Sequence, residues 1–335
     1  MTPVRTYPGA ADFHLFTDCI AQCYPSPQEQ AVKQREFPAH RHLDSCWVLI
    51  SEGMPVARAA VYRNPALQYK GADTVCIGHY ECIPGAAAAA ALLGHLEAYA
   101  GTSGAGYMIG PMNGSTWEQY RFINEAELPL FFTEPLHRPY YIQQWKENGW
   151  TTIGEYGSGL TEDLSVDEEM ISSIKTALEP AGIRLRSLDL AAYREELVRL
   201  HPFLLQAFSR NFLYTPITLE DFLDKYLPLQ PYLKKEFVLL AEDAAGAVAG
   251  VFLCIDDLYD TASRTLIIKT IARDPDPRFR GLGHLMAAQV YREAAARGYT
   301  SIIHAFMYNQ GTSTAISGHF NGRIFKTYML FGKTL

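Results

Sequence analysis

The chain lacks three things, and each absence removes a class of function. It has no long apolar run. The least polar stretch, IPGAAAAAALLG at 83–94, falls well short of the ~20 residues that cross a bilayer, and His95 and Glu97 follow it directly; a buried helix is expected there and no membrane partner. It has no basic excess. With Lys+Arg 29 against Asp+Glu 36, a net charge of −7 and no basic block, it offers no face for a nucleic acid. It has no cysteine pattern. The six cysteines, at 19, 23, 46, 76, 82 and 254, form no CxxC and no metal-like pairing with histidine. Reduced thiols in a cytoplasmic protein without a metal are expected, with Cys19 and Cys23 on one helix face. The first residues, MTPVRTYPGAADFH, carry no basic segment leading into an apolar one, so no signal peptide is read there. GxGxxG and GK[ST] are also absent, which excludes the dinucleotide fingerprint and the P-loop.

What is present is a balanced globular composition, 48% hydrophobic and 19% charged over 335 residues, a length that favours two domains. The pattern of elements runs twice. In the first half a helix (11–24) is followed by two strands around Glu52-Gly53 (44–64), a strand at 73–83, an Ala-rich helix (about 86–101), a strand near 106–110, a short helix stopping at Gly149 and a closing strand TTIGEYGSGL. An acidic helix ending in Pro180 and Gly182 reads as a domain joint. The second half has a strand IRLRSLDL, helices at about 190–211 and 218–227, and a hairpin around Gly246. A strand at 265–274, a helix at about 283–297, the strand YTSIIHAFM, a short helix after Asn309 and a final strand complete it. The two orders match although the letters scarcely do, which suggests two copies of one fold.

The most informative stretch is RFRGLG at 278–283. It lies between a strand and a helix, after a turn containing Pro275 and Pro277. Glycines before a helix N-terminus let unpaired amides and the positive end of the helix dipole approach an anion, and Arg278 or Arg280 can add charge-assisted bonds. A Gly-x-Gly before a helix is also an ordinary turn. Context decides: Arg-x-x-Gly-x-Gly in this setting resembles the acyl-CoA pyrophosphate loop of the GNAT N-acetyltransferases, and the likeness runs over about 184–335. GPMNGSTWEQYR at 110–121 is similar to a segment in the first half of some tandem GNAT-like proteins, and its alternative reading is a structural turn. The first half resembles a GNAT repeat that has lost the loop.

The resemblance implies an α/β fold of two tandem GNAT-like domains, each a mixed, mostly antiparallel sheet flanked by helices: a degenerate one over 1–160, a linker helix over 161–183 and an acyl-CoA-binding one over 184–335. It implies that Arg278, Phe279, Arg280, Gly281, Leu282, Gly283 and His284 hold the CoA pyrophosphate, that the main chain of Ile271, Ala272 and Arg273 pairs with the pantetheine arm, and that Asn309 and Ser313 contact the arm. The expected activity is transfer of an acetyl or other acyl group from acyl-CoA, acetyl-CoA first, to the amine of a small molecule, by a monomer or homodimer. A CoA sensor without turnover and an aminoacyl-tRNA-dependent transferase are the alternatives, the latter opposed by the acidic charge.

Proton transfer is not supplied by the motif. TLIIKTIA has no carboxylate at the family's frequent base position, and Ile316 stands where the family's acid is a tyrosine. Tyr308, His304 and Asp256 are the remaining catalytic candidates. Glu81 sits on the corresponding strand of the first half. A substrate pocket between the halves is expected to draw on Asn113, Tyr140, Tyr141, Phe208, Arg210 and Tyr214.

Overall fold

The computed structural model describes every residue except 39, 261, 263 and 310–316. The first half contributes β1 (Thr2–Thr6), α1 (His14–Cys23), α2 (Pro27–Gln34), β2 (Leu43–Ser51), β3 (Met54–Tyr69), β4 (Ala72–Cys82), α3 (Ala86–Gly101), β5 (Tyr107–Gly110), β6 (Phe122–Ala126), α4 (Tyr141–Glu147) and β7 (Thr151–Thr161). After α5 (Glu168–Leu178) come β8 (Arg184–Ser187), α6 (Tyr193–Phe208), α7 (Leu219–Tyr226), β9 (Val238–Glu242), β10 (Val248–Asp256), β11 (Thr265–Arg273), α8 (Leu282–Ala296), β12 (Ser301–Tyr308) and β13 (Arg323–Thr334). The sequence pattern anticipates most of these; β1, α2 and β6 are additions. The short helix expected after Asn309 begins among residues outside the described ones.

The strands form one 13-stranded sheet in the order β1-β2-β3-β4-β5-β13-β7-β12-β11-β10-β9-β8, with β6 also paired to β13. The repeat seen in the sequence is a repeat of pairings. β1 to β4 are successively antiparallel and β4 lies parallel to β5; β8 to β11 are antiparallel and β11 lies parallel to β12. The last strand of each half then crosses over. β7 pairs with β12 of the second half, β13 pairs with β5 of the first, and β7 and β13 pair with each other at the centre. Chain order and spatial order therefore part company at the middle of the sheet, where the halves share their closing strands.

Helices cover both faces. α3 buries Ala88, Ala89, Leu92, Leu93 and Leu96 against β2 to β4; its alanines carry little side-chain entropy and permit close approach to the sheet. α8 buries Leu282, Met286, Val290 and Ala294, one helical face, against β10 and β11. α6 and α7 cover the opposite face of the second half. The joint helix α5 starts at Asp167, whose side chain accepts from the Met170 amide (3.0 Å), and packs on α8 through Ile171 and Ile174, with Glu168 bound to Arg292 at 2.5 Å.

Candidate functional site

The two parallel strand pairs, β4/β5 and β11/β12, each open into a V. β4 and β5 are in register only from Thr74 to Cys76 against Tyr107 to Ile109. β11 and β12 are in register only from Thr265 to Ile268 against Ser301 to His304. In the second half both arms bulge on leaving the apex. Opposite consecutive residues Leu253 and Cys254, β11 places Thr270 and Ile268, so Lys269 is an extra residue. On β12 the register against β7 jumps between His304 and Met307, and Phe306 sits at φ 56°. A bulge bends its strand and re-aims side chains, which parts the strands here.

The first V is filled. The chain turns after Gly110 and inserts Pro111 to Asn113 between its arms: the Met112 amide donates to the Ile77 carbonyl (2.8 Å) and the His79 amide donates to the Asn113 side chain (3.2 Å). A Cβ on Gly78 would lie 2.1 Å from Asn113 Oδ1, so this residue has to be glycine. Beneath the insert lies a buried ion cluster. Glu81, 0% exposed, holds Lys33 at 2.7 Å and faces Arg58 at 3.9 Å, and accepts from the Tyr141 hydroxyl at 2.7 Å. Lys33 also pairs with Glu36. Burial first, then the Arg58 and Lys33 charges, keeps His79 well below the usual histidine range; burial and Lys33 do the same to His137. The cavity left among these groups is about 20 Å³, room for a single water.

The second V is open. Among the described residues no backbone hydrogen bond closes the β12-facing edge of Lys269–Arg273. At the foot of its helix, Pro277–Phe279 forms a single 3₁₀ turn, the Asp276 side chain accepts from the Arg278 amide (2.9 Å), and Gly281 precedes α8 at φ 92°. The amides of Gly281, Leu282 and Gly283 have no acceptor among the described residues, and they point out of a helix N-terminus. Phe279 is buried beneath the loop, and Arg280 is exposed without an ion pair among the described residues. Arg278 is already engaged, at 3.4 Å to Asp243 and 3.3 Å to Asp276, and borders a surface depression of about 360 Å³ between the joint helix and the β9–β10 turn. His284 packs edge-on to His319, and burial, then that second ring, lowers its pKa.

The catalytic candidates separate. His304 is the last residue of β12 paired with β11 and is buried: its Nε2 lies 2.7 Å from the Tyr291 hydroxyl of α8, and burial lowers its pKa to about 4. It is a neutral core histidine, not a group facing a substrate. Asp256 sits opposite Leu266, at the far end of β11 from the opening; it accepts from Tyr299 (2.6 Å) and pairs with Lys234 (2.5 Å). The expectation that Asp256 is a catalytic group is corrected. Tyr308 lies on the open arm of β12, stacked on Phe212 with ring centroids 5.4 Å apart and beside Tyr156 at 5.2 Å. Burial raises its pKa, so it keeps its proton at neutral pH.

The pocket candidates separate too. Asn113, Tyr140 and Tyr141 belong to the interior of the first half, where Tyr140 donates to the Cys82 carbonyl (3.0 Å) and Tyr141 to Glu81. Phe208 and Tyr214 pack against Trp117, with centroids 5.9 and 6.4 Å away, on the seam between the halves. That seam is stitched by Trp117 donating to the Thr215 carbonyl (2.8 Å) and by Asn64 donating to Thr215 Oγ1 (3.1 Å). Arg210 is exposed at the end of α6. Asn309 is exposed beside β7, its amide donating to Glu155 (3.1 Å), and Ser313 lies outside the described residues. Ile271, Ala272 and Arg273 form the unpaired edge of β11.

Two residues that sequence reasoning missed stand at the opening. Arg121 follows the inserted turn and is 8% exposed. Its guanidinium lies 3.9 Å from the Tyr120 ring centroid, 4.5 Å from that of Tyr156 and 4.6 Å from that of Phe306, and Nη1 donates to the Phe306 carbonyl (3.4 Å). Lys269 is half-buried on the bulge of β11; burial first, then Lys225 and Arg121, lowers its pKa to about 8. Both lie in stretches the sequence brings to notice, but nothing local says that residues 148 positions apart are drawn to the same opening.

No protein-family model matches the sequence, and no curated protein matches it. Solved structures match in fold. A tandem GNAT protein from the clavulanic acid biosynthesis pathway is similar over 99% of this chain and 98% of its own at 13% identity, with a TM-score of 0.57. A probable N-acyltransferase from Enterococcus faecalis is similar over 100% of this chain and 73% of its own at 9% identity, with a TM-score of 0.59. A fungal multi-domain β-N-acetylglucosaminidase with a GCN5-related glucosamine N-acetyltransferase region is similar over 99% of this chain at 15% identity and a TM-score of 0.58, and the chain spans only 38% of that protein's length. The duplicated pairing pattern, the two Vs and these likenesses together give the chain the tandem GNAT fold.

Proposed function

We propose that the chain is an acyltransferase that takes an acyl group from an acyl-CoA, acetyl-CoA first, and passes it to the amine of a small molecule in its C-terminal half. The observation that carries this is the open V of β11 and β12 together with the free amides of Gly281, Leu282 and Gly283 at its foot. Those donors fit a pyrophosphate, and the unpaired edge of Lys269–Arg273 fits an extended amide-bearing arm, paired like an added strand. Arg280, exposed and without an ion pair among the described residues, adds charge beside the loop. Bound there, the CoA thioester supplies an activated acyl group.

The chain's own residues then have separable tasks. Unpaired amides on the bulged part of β11 are donors for a developing oxyanion, a role worth several kcal/mol elsewhere. Tyr308, kept protonated by burial, is placed to give a proton to a leaving thiolate. β11 carries no carboxylate to act as a base, so in this reading the amine arrives neutral or loses its proton to water, and positioning carries much of the rate. The aromatic seam of Trp117, Phe208 and Tyr214 bounds the acceptor.

Thermal denaturation with acetyl-CoA, longer acyl-CoAs and free CoA tests the donor: stabilisation by at least one supports the reading, and none at millimolar ligand removes it. Release of free thiol across a panel of amines then separates turnover from binding without reaction, and no release with any amine leaves a CoA-binding protein.

A further inference from the structure

The open V holds positive charge that the protein itself does not neutralise. Arg121 forms no ion pair with a carboxylate among the described residues, and neither does Lys269. Carboxylates around them are committed elsewhere: Glu36 and Glu81, which line the first-half cavity with Arg121, hold Lys33. Glu118 holds Lys225 at 2.8 Å. Glu134 is buried against Lys326 at 2.5 Å and accepts from Tyr328 at 2.6 Å. The guanidinium of Arg121 is fixed rather than mobile: Nε donates to the Tyr120 carbonyl (2.9 Å), Nη1 to Phe306, and rings of Tyr120, Tyr156 and Phe306 pack around it. Nη2 has no partner. Ring contacts recover only part of the cost of withdrawing an unpaired charge from water. Lys269, on the facing strand, carries the same deficit. It also lies on β11, the strand of the family's frequent base position, and while protonated it cannot accept the amine's proton.

We infer that Arg121 and Lys269 form a carboxylate-binding site across the opening of the second V, so that the acceptor of the proposed transfer is an amine that also bears a carboxylate. This rests on the proposed function for the word acceptor, and on the unpaired cations alone for the carboxylate. The charges come from different halves: Arg121 follows the inserted turn of the first, and Lys269 is the bulge residue of the second. The degenerate half thus contributes to the site of the other. A carboxylate fits better than a phosphate, because the free donors are few: Arg121 offers Nη2 and the remaining hydrogen of Nη1, and Lys269 its ammonium. The aromatic residues along the seam suit an apolar body between the two functional groups.

The test needs no acyl donor, so it fails independently of the transferase reading. Wild-type protein is titrated with benzoate, phenylacetate and L-phenylalanine, and with benzamide, phenethylamine and inorganic phosphate, by calorimetry near pH 8. Lys269 is followed by carbon NMR of labelled lysine, with Lys269→Gln assigning its signal. At least one of the three carboxylates is expected to bind, to raise the pKa of Lys269 by about a unit or more, and to draw protons from the buffer as it does so. Arg121→Gln is expected to weaken that binding at least tenfold while Lys269 remains titratable near its starting value. Arg121→Lys, which keeps the charge, should retain part of it and covers the case in which the glutamine variant unfolds. The inference is overturned if no carboxylate moves Lys269, if benzamide or phenethylamine binds as well as its carboxylate counterpart, or if phosphate binds as tightly as the best carboxylate. If acyl-CoA fails to bind yet a carboxylate moves Lys269, the transferase reading falls and the carboxylate site stands.

Discussion

The two halves repeat one set of strand pairings and put it to opposite uses. Past Cys76 the first half fills its V with its own chain and balances four buried charges, Glu81, Glu36, Lys33 and Arg58, against one another. Past Ile268, among the described residues, the second half leaves the edge of β11 unpaired and Arg121 and Lys269 without an ion pair. The difference teaches that a duplicated fold can divide its labour: one opening becomes structure, and the turn that closes it delivers Arg121 to the other. Internal compensation marks the closed half, and uncompensated donors and charges mark the open one.

The comparison can be broken most forcefully at Glu81. Glu81→Ala leaves Lys33 and Arg58 buried without their shared partner and is expected to cost about 3–5 kcal/mol in urea unfolding. At a temperature where the variant is folded, its CoA affinity should stay within about twofold of wild type. A tenfold loss of affinity would mean that the halves are not separable. Gly78→Ala forces a Cβ onto Asn113 and the Met112 carbonyl and is expected to cost about 1–3 kcal/mol, as overpacking does; no measurable loss would mean that the insert is loosely held.

In the open half the expected changes are in binding. Arg280→Glu, at an exposed residue with no ion pair among the described residues, should weaken CoA about tenfold, roughly 1.4 kcal/mol, without altering the unfolding midpoint of the free protein. Gly281 is a poor site for that test, since a Cβ there would meet Ile174 at 2.9 Å and strain a residue already at φ +92°.

The smallest and most diagnostic effects are in pH dependence. His79 and His137 in the closed half, and His304 at about 4 in the open one, are all held below the usual histidine pKa. The unfolded chain binds protons on them first, so stability should fall as pH drops below about 6.5, each contributing at most ~1.4 kcal/mol per unit. Lys269 acts in the same sense at higher pH. Its folded pKa of about 8 lies below the unfolded value, so its penalty is complete below pH 8 and shrinks as pH rises toward 10.5. Buried thiols such as Cys46 and Cys76, pushed up to about 12, oppose this above pH 9. The contribution is therefore a difference: Lys269→Met should be more stable than wild type by an order of 1–3 kcal/mol at pH 7, an advantage that narrows toward pH 10. An advantage independent of pH would mean that Lys269 is not the uncompensated charge.

Much of this was legible in the chain. Alternating strands, the alanine helix and the glycine after Arg297 mark elements because local sterics and helix-end chemistry act over a few residues. RFRGLG declares its helix N-terminus for the same reason. His304 and Asp256 were drawn to the site by residue type, and the structure places them in the core and at the far end of the sheet. Tyr140 and Tyr141 resembled a pocket wall and are partners of the Cys82 carbonyl and Glu81. A side chain's face and partner depend on which strand lies beside it, which spacing alone does not state.

By itself the sequence determined the kinds of element, their repeated order and the glycine loop before α8, since these follow from periodicity, capping and turn chemistry. Tertiary structure alone decided the exchange of β7 and β13, the plug in the first V and the packing of Arg121 against Phe306 of β12. Those rest on pairings between residues far apart in the chain, and a hydrogen-bonded edge or a buried charge takes its meaning only from what the rest of the fold brings to it.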